Sequence, residues 1–360
     1  MARNYSLKVE VTQNGNGFDN PITGNVQKRG NAPSTANLTF PNLNGKFKDY
    51  FASNDVIRVY VGLDAIEPEP IITGFPVDDT GRSMFSIRLS DMLTRLNHSQ
   101  AKIDDFNNYD GVEAARAMQA LVDDVDMSMY SSSIDTSGIC GTNPRVILAE
   151  DFRHKDYSTV WKILQDINSR CWDTTEFPKT PLSYAFWMSD TKMNFRKKQR
   201  ADEASAVYSF DTIDDILTSK PTRSLVPVIN KCTVIGATYK DPATGIQKNY
   251  EGTYTHQSSV DAQGEHHAII KDQTLTNNWE CEQKAARYVF SSKVRRVTST
   301  IDVPNLMSGI PNITVISVDD SDYGIEGNHI VSELDISFGG GNTGCSVTLN
   351  NVEPVMTDYV

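Results

Sequence analysis

Leu7, Val9 and Val11 alternate with Lys8, Glu10 and Thr12, a period of two that predicts a half-buried strand. The turn-rich stretch "NGNGFDNPITGN" follows. Then "ANLTFPNLNGKFKDYFASND" reads as a strand, a turn and an irregular connection. "VIRVYV" puts Ile57, Val59 and Val61 on one face, and "IITGF" is another short strand. In "FSIRLS", Phe85, Ile87 and Leu89 point one way and Ser86, Arg88 and Ser90 the other. Short strands at this spacing predict a small barrel or sandwich.

The period changes near Leu93. "DGVEAARAMQALVDDV" predicts a helix with Asp110 as N-cap, Glu113 completing a capping box, and an apolar stripe of Val112, Ala115, Met118, Val122 and Val125. "DYSTVWKILQDINSRCW" predicts a second helix that buries Val160, Ile163, Leu164 and Ile167. "LSYAFW" and "KMNFR" read as a hairpin joined through Ser189–Asp190. From Leu225 strands return: "VPVINKCTVIGATY" is one, "DPATG" a turn. "NNWECEQKAARYVFSSK" is a helix with Trp279, Ala286, Val289 and Phe290 able to share a face. "VRRVTSTIDV" resumes β structure, and residues 312–350 form three strands with glycine-rich turns. The expected extents are 1–96 for a first β-barrel domain and 97–215 for an inserted α+β domain. A second barrel domain spans 216–360, with one helix at 277–292.

Two distant segments share an order of parts. The first runs from Leu38 to Leu43 ("LTFPNL") through "VIRVYV", "IITGF" and "FSIRLS". The second runs from Ile301 to Leu306 ("IDVPNL") through "ITVISV", "HIVSELDISF" and "CSVTLN". Phe85, Ile87 and Leu89 correspond to Cys345, Val347 and Leu349. This order predicts a duplicated β unit with other structure inserted between the copies.

Composition narrows the partners. The 360 residues allow two to four units of roughly 100–150 residues each. The net charge of −12 argues against wrapping nucleic acid or docking on an anionic membrane, because both need a basic surface. It leaves open a ring through which DNA slides without sticking. The N-terminus "MARNYSLKVEVTQ" carries no signal pattern, and no apolar run approaches the ~20 residues that span a bilayer. Cys140, Cys171, Cys232, Cys281 and Cys345 are far apart and form no C-x-x-C, which predicts reduced, mostly buried thiols.

The chain resembles the phage tail baseplate-hub proteins, the group that includes the late-control protein D family and the hubs of contractile injection systems. The residues that carry the resemblance are "SNDVIRVYVG", "IITGFP" and "FSIRLSDMLTRL" near the N-terminus and "TVWKILQDINSRC" in the middle. Towards the C-terminus they are "VINKCTVIG", "IIKDQTLTNNWECEQKAARYVF" and "STIDVPNLMSGI". Asp272 and Thr274 precede the last helix, and Gly309 matches the family's glycine after a P-x-L turn. The chain departs at Val260–Gly264, where the family often has Ser-x-x-x-Tyr-Gly. The resemblance implies an α+β, mainly β fold with two tube-type barrels, in a homotrimeric ring. The partners it implies are tail tube or distal tail protein above, a central spike or fibre below, and the tape measure protein. The place it implies is the virion tail tip or baseplate, assembled in the host cytoplasm. It implies no catalytic residues and no cofactor.

The residues themselves offer little chemistry. Gly15-Asn16-Gly17 follows a strand, but Asn20 and Pro21 stand where a dinucleotide loop needs glycine and a helix start, so a hairpin turn is expected. Glu265-His266-His267 is the main histidine cluster. Neighbouring side chains on a strand point apart, so exposed loop histidines are expected, and His256 or His329 would have to join to hold a metal. Asp319, Asp320 and Asp322 crowd a turn with Gly324. The twelfth residue from Asp319 is Ile330, not the glutamate a calcium loop requires. The pairs Asp104–Asp105, Asp123–Asp124 and Asp214–Asp215 read as solvated faces. Lys197, Lys198, Arg200, Arg295 and Arg296 are expected as surface charge beside acidic neighbours, the competing reading being salt bridges between subunits or between rings. Trp187 and Trp279 suit a core or an interface. Two further classes compete on the sequence: a cell-wall glycan hydrolase, which needs two carboxylates about 5–9 Å apart, and a carbohydrate-binding adhesin module.

Overall fold

The computed structural model describes residues 7–18, 21–42, 45–47, 50–63, 69–80, 83–98, 118, 121–122, 146–147, 159–169, 172–173, 180–181, 184–190, 192–197, 205–211, 216–223, 228–292, 297–303, 314–320, 325–339 and 344–350. The chain opens with β1 (Leu7–Gln13), β2 (Asn16–Phe18), β3 (Thr23–Arg29), β4 (Thr35–Pro41), β5 (Ile57–Leu63), β6 (Ile72–Thr80), β7 (Met84–Ser90) and α1 (Leu93–His98). The middle holds β8 (Val146–Ile147), α2 (Val160–Ser169), β9 (Trp172–Asp173), β10 (Thr180–Pro181), β11 (Tyr184–Ser189), β12 (Lys192–Lys197), β13 (Tyr208–Asp211) and β14 (Thr218–Arg223). Then come β15 (Lys231–Lys240), β16 (Gln247–Thr255), α3 (Gln257–Gln263), β17 (His267–Lys271) and α4 (Asn278–Ser292). The chain closes with β18 (Val297–Val303), β19 (Val315–Asp320), β20 (Ile325–Gly339) and β21 (Gly344–Asn350). The fold is mainly β with mostly antiparallel sheets.

The chain forms two compact units: Met1–Pro221 with Thr298–Val360, and Thr222–Val297. The first is built on a thirteen-stranded sheet ordered β14-β18-β21-β20-β3-β4-β7-β6-β5-β1-β2, with β19 on β20 and β13 on β19.

This sheet contains the duplication. β4 pairs β7, β7 pairs β6 and β6 pairs β5; β18 pairs β21, β21 pairs β20 and β20 pairs β19. The registers agree. Leu38 faces Ile87 and Phe40 faces Phe85; Ile301 faces Val347 and Val303 faces Cys345. Each copy also carries a one-residue bulge at the same point. Pro76 and Asp78 oppose Leu89 and Arg88, leaving out Val77; Val331 and Glu333 oppose Leu349 and Thr348, leaving out Ser332.

The sequence echo is displaced in one strand. Ile57 faces Gly74 and Ile316 faces His329, so Val56–Val59 corresponds to Val315–Val318, two residues beyond the match of "VIRVYV" to "ITVISV". A two-residue slip keeps every side chain on its face, so the hydrophobic phase cannot detect it. The copies also differ at one edge: β5 takes β1 antiparallel, whereas β19 takes β13 parallel.

The core of the first copy is aromatic at one end. The connection after β4 folds back so that Phe47 and Phe51 stack on Phe85, at 5.3 and 5.6 Å between ring centres. Asn42 fixes that turn by accepting the Phe47 N–H at 3.1 Å. Asp91 closes the copy at α1. Its buried carboxylate accepts the N–H groups of Ser34 (2.8 Å) and Leu93 (3.1 Å). Burial pushes this carboxyl up to about 7 despite those bonds.

The expected helix over 110–125 is described at Met118, Leu121 and Val122, which are helical and buried; Asp110 and Glu113 lie outside the described residues. α2 buries the four residues expected of it, Val160, Ile163, Leu164 and Ile167. Thr159 caps it by accepting the Lys162 N–H at 3.2 Å. β11 and β12 form the expected hairpin, with Asp190 left-handed at φ 48° in its turn.

The unit Thr222–Val297 has its own sheet, ordered β16-β15-β17, with α4 packed on β15 and β16. The expected strand from Leu225 begins at Lys231, and Gln257–Gln263, for which the sequence predicts no element, is helix α3. Asn277 caps α4 by accepting the Glu280 N–H at 2.8 Å, while Glu280 reaches back to the Thr276 N–H at 3.0 Å. The buried face of α4 is Cys281, Ala285, Ala286 and Val289. Trp279, expected on that face, is 37% exposed: it lies about 20° from Ala286 at the margin of the face, but in the first turn of α4.

Candidate functional site

The distinctive site of this chain is the seam between its two β copies. β3 pairs β20 antiparallel from Thr23↔Gly339 to Arg29↔Glu333. Val26 and Ile336 meet there and are fully buried. Arg29 Nε lies 3.3 Å from Glu333 Oε1, and Asn25 donates to Asp335. β20 spans both neighbours on one edge: Ile325–Ile330 pair with β19 and Glu333–Gly339 with β3. The bulge at Ser332 marks the change. The Gly30 N–H binds the Ser332 carbonyl at 3.1 Å, and the Val331 N–H binds the Thr314 carbonyl at 2.9 Å. Gly339 ends the seam at φ 95°. A Cβ there would stand 2.1 Å from the Ile22 carbonyl oxygen, so both backbone shape and space require glycine.

The β11–β12 hairpin bridges the two copies. Asn31, buried at φ 62° between β3 and β4, donates its N–H to the Phe186 carbonyl at 2.7 Å. Its side-chain oxygen accepts the Phe186 N–H at 2.8 Å. At the hairpin tip Asp190 Oδ1 accepts Arg58 Nε at 2.8 Å and Thr73 Oγ1 at 2.7 Å. On the C-terminal copy, Ala185 and Trp187 pack against Val315 and Ile330.

His329 is the one titratable group placed against expectation. It lies on the core face of β20 across from Ile316, and neither ring nitrogen has a hydrogen-bond partner among the described residues. Burial holds its imidazole below the ordinary histidine range, opposed by the Glu326 backbone. The unfolded chain therefore takes up the proton first. Stability is expected to fall as pH drops below about 6.5. His329→Leu should flatten that slope and raise the melting temperature at pH 5.5 more than at pH 7.5. Equal shifts at both pH values would show that the imidazole is not held neutral.

The candidate residues from the sequence fall as follows. Asn14 and Gly15 form the β1–β2 turn at φ 47° and 86°, a hairpin with no helix behind it. Glu265, His266 and His267 are exposed; His267 Nε2 lies 2.9 Å from Thr233 Oγ1, and the His266 N–H binds Asn230 Oδ1 at 2.8 Å. His256 precedes α3, edge-on to Phe290. His329 belongs to the other compact unit. Asp319 and Asp320 lie in β19 opposite Glu326 and Ile325; Asp322 and Gly324 lie outside the described residues. So do Asp104, Asp105, Asp123, Asp124, Asp214, Asp215, Lys198, Arg200, Arg295 and Arg296, and Lys197 is described only as backbone of β12. Cys232, Cys281 and Cys345 are buried and not joined in disulfides, and Cys140 and Cys171 lie outside the described residues. Among the described residues no group of three or more His, Cys, Asp or Glu is disposed to hold a metal, and no helix is long and apolar enough to cross a membrane. The residues that sequence reasoning passed over are Asn31, Arg58 and the two bulges. Only Asn31 had a local signal, in the turn dipeptide Gly30-Asn31.

No protein-family model matches the sequence, and no curated protein matches it. Solved structures do match. A tail protein from Neisseria meningitidis MC58 aligns at TM-score 0.64 and 13% identity, over 97% of this chain and 100% of that one. The 43 kDa tail protein of prophage MuSo2 from Shewanella oneidensis aligns at 0.62 and 12%, over 95% and 97%. Prophage tail protein gp18 from Listeria monocytogenes EGD-e aligns at 0.54 and 11%, over 97% and 96%. The chain therefore has the fold of phage tail proteins along nearly its whole length, and the resemblance read from its residues is met at that level.

Proposed function

We propose that the chain is a structural virion protein, the hub of a phage tail tip or baseplate. Three copies close into a ring of six like β-barrels, two from each chain. The ring joins a six-fold tail tube to a three-fold central spike or fibre and takes part in tail assembly and genome delivery. It acts by shape and interface and catalyses no reaction. One observation carries this reading: the two β copies share strand order, pairing register and bulge position, so one chain presents two nearly equivalent building blocks. A three-fold assembly of such chains matches six-fold neighbours on one side and three-fold neighbours on the other. The tail-protein folds of similar length support it. The acidic balance of the chain suits a lumen that repels passing DNA.

Light scattering on the purified chain tests the ring. A mass of three times the 40.0 kDa chain is expected, stable on dilution. A monomer across the whole accessible concentration range overturns it, as does cell-wall hydrolysis by the purified chain.

A further inference from the structure

The seam inside one chain specifies the seam between chains. Each β copy has a donor strand at one end, β3 or β14, and an acceptor edge that begins after the bulge, on β6 or β20. One backbone rung fixes the correspondence of β3 with β14, because its acceptors Thr39 and Asp302 hold matching places in β4 and β18. In the N-terminal copy the Ile22 N–H binds the Thr39 carbonyl at 2.8 Å, and Thr39 Oγ1 meets Ser86 Oγ at 3.1 Å. In the C-terminal copy the Leu217 N–H binds the Asp302 carbonyl at 2.7 Å, and Asp302 takes hydrogen bonds from Ser346 and Thr218. Ile22 thus corresponds to Leu217, Gln27 to Thr222 and Lys28 to Arg223. Ile22 and Leu217 are both exposed, at 45% and 66%.

Within the chain the donor β3 sits on the acceptor β20. That leaves the donor β14 and the acceptor edge Val77–Thr80 of β6, and among the described residues nothing pairs with either outer edge. Val77, Asp78 and Asp79 are exposed on it. We propose that β14 of one copy adds antiparallel to the β6 edge of the next, repeating the β3·β20 seam head to tail. This pairing rests on the ring reading above.

The register follows from the internal seam. Asp335↔Gln27 becomes Thr80↔Thr222, and Leu334↔Lys28 becomes Asp79↔Arg223. The charges are complementary: Asp78 and Asp79, negative, on one edge, and Lys220 and Arg223, positive, on the other. The contact is also bounded. The Gly30 N–H points to β20, so even-numbered residues of β3 donate across the seam. Pro221 is the counterpart of Val26 and has no such N–H, but its partner position falls past Thr80, where β6 ends. The proline therefore leaves the pairs Thr80↔Thr222 and Asp79↔Arg223 intact and blocks longer, indiscriminate pairing along β14.

The cysteine pair Thr80→Cys with Thr222→Cys tests this in the full-length chain. The pair is of the non-hydrogen-bonded kind, where Cα atoms approach to about 4.5 Å, within disulfide range. Mild oxidation should give covalent dimers and trimers on a denaturing gel, and neither single variant should. Asp79→Arg and Arg223→Asp should each abolish the trimer seen by light scattering, and the double exchange should restore it. A stable trimer with no cross-link and no response to the exchange overturns the edge pairing and leaves the ring standing. A chain that never exceeds monomer mass overturns the ring and the edge pairing together.

Discussion

Gly252→Ala is expected to unfold the unit Thr222–Val297. Gly252 lies in β16 directly beneath α4. A Cβ there would stand 2.0 Å from the Glu282 nitrogen and 2.5 Å from the Cys281 carbonyl carbon and the Glu282 Cα. All three are backbone atoms of the helix, so no side chain can rotate away. α4 can move only by lifting Cys281, Ala285 and Val289 from the core they form with Cys232 and Val234. Overpacking costs about 1–3 kcal/mol where side chains can yield. Here they cannot, so at least about 3 kcal/mol is expected, a large share of what a unit this small can have. Amide exchange along β15 and α4 would report it as lost protection. Gly17→Ala, with nothing within 4 Å, serves as the neutral comparison. Near-native protection in Gly252→Ala would mean that α4 does not rest on the β16 backbone.

β16 also shows where the sequence stops being legible. "QKNYEGTYT" alternates Tyr250, Gly252 and Tyr254 toward the helix, but glycine hides the middle position of an apolar face. The helix backbone supplies the missing bulk, and no hydropathy pattern records that. The strands of the two β copies were legible because each buries one face: Phe85, Ile87 and Leu89 are in, as are Cys345, Val347 and Leu349. Their order exposed the duplication. The seam between β3 and β20 was not legible, because its partners are some 310 residues apart, as Asn25 and Asp335 show. Neither strand carries a local mark of its neighbour. The bulges at Val77 and Ser332 were hidden for a related reason. Each moves the apolar phase by one residue, so "HIVSELDISF" is legible as one strand while the place where its phase shifts is seen only in the pairing. His329 enters the sequence reading only as a residue that would have to join a metal site, although it opens the strand "HIVSELDISF" and its phase with Val331 already places it inward.

Asn31→Ala should loosen the hairpin that ties the two copies together, at a cost of about 2–4 kcal/mol. Two separable losses make up that figure. The Phe186 N–H, now bonded to the Asn31 side chain at 2.8 Å, would be left buried without an acceptor, which costs about 1–3 kcal/mol. Alanine would also inherit φ 62°, a conformation that costs an ordinary L-residue about 1 kcal/mol more than it costs asparagine or glycine. Asn31→Gly separates the two, since it removes the acceptor and keeps the backbone at ease. The expected order of urea midpoints is wild type, then Gly, then Ala. The consequence extends past Asn31, because Phe186 is fully buried with Trp161 of α2 set edge-on against it at 6.4 Å. The same hairpin holds Arg58 and Thr73 of the N-terminal copy through Asp190, and packs on Val315 and Ile330 of the C-terminal copy. A seam of one β ladder can hinge, whereas a seam cross-braced by a hairpin is held more firmly, and the proposed ring of fixed symmetry would require the second. If the chain closes the proposed ring, Asn31→Ala should therefore lower the yield of closed rings by more than its loss of stability alone would. If Asn31→Ala and Asn31→Gly both leave stability and ring yield unchanged, the hairpin is not what fixes the angle between the copies.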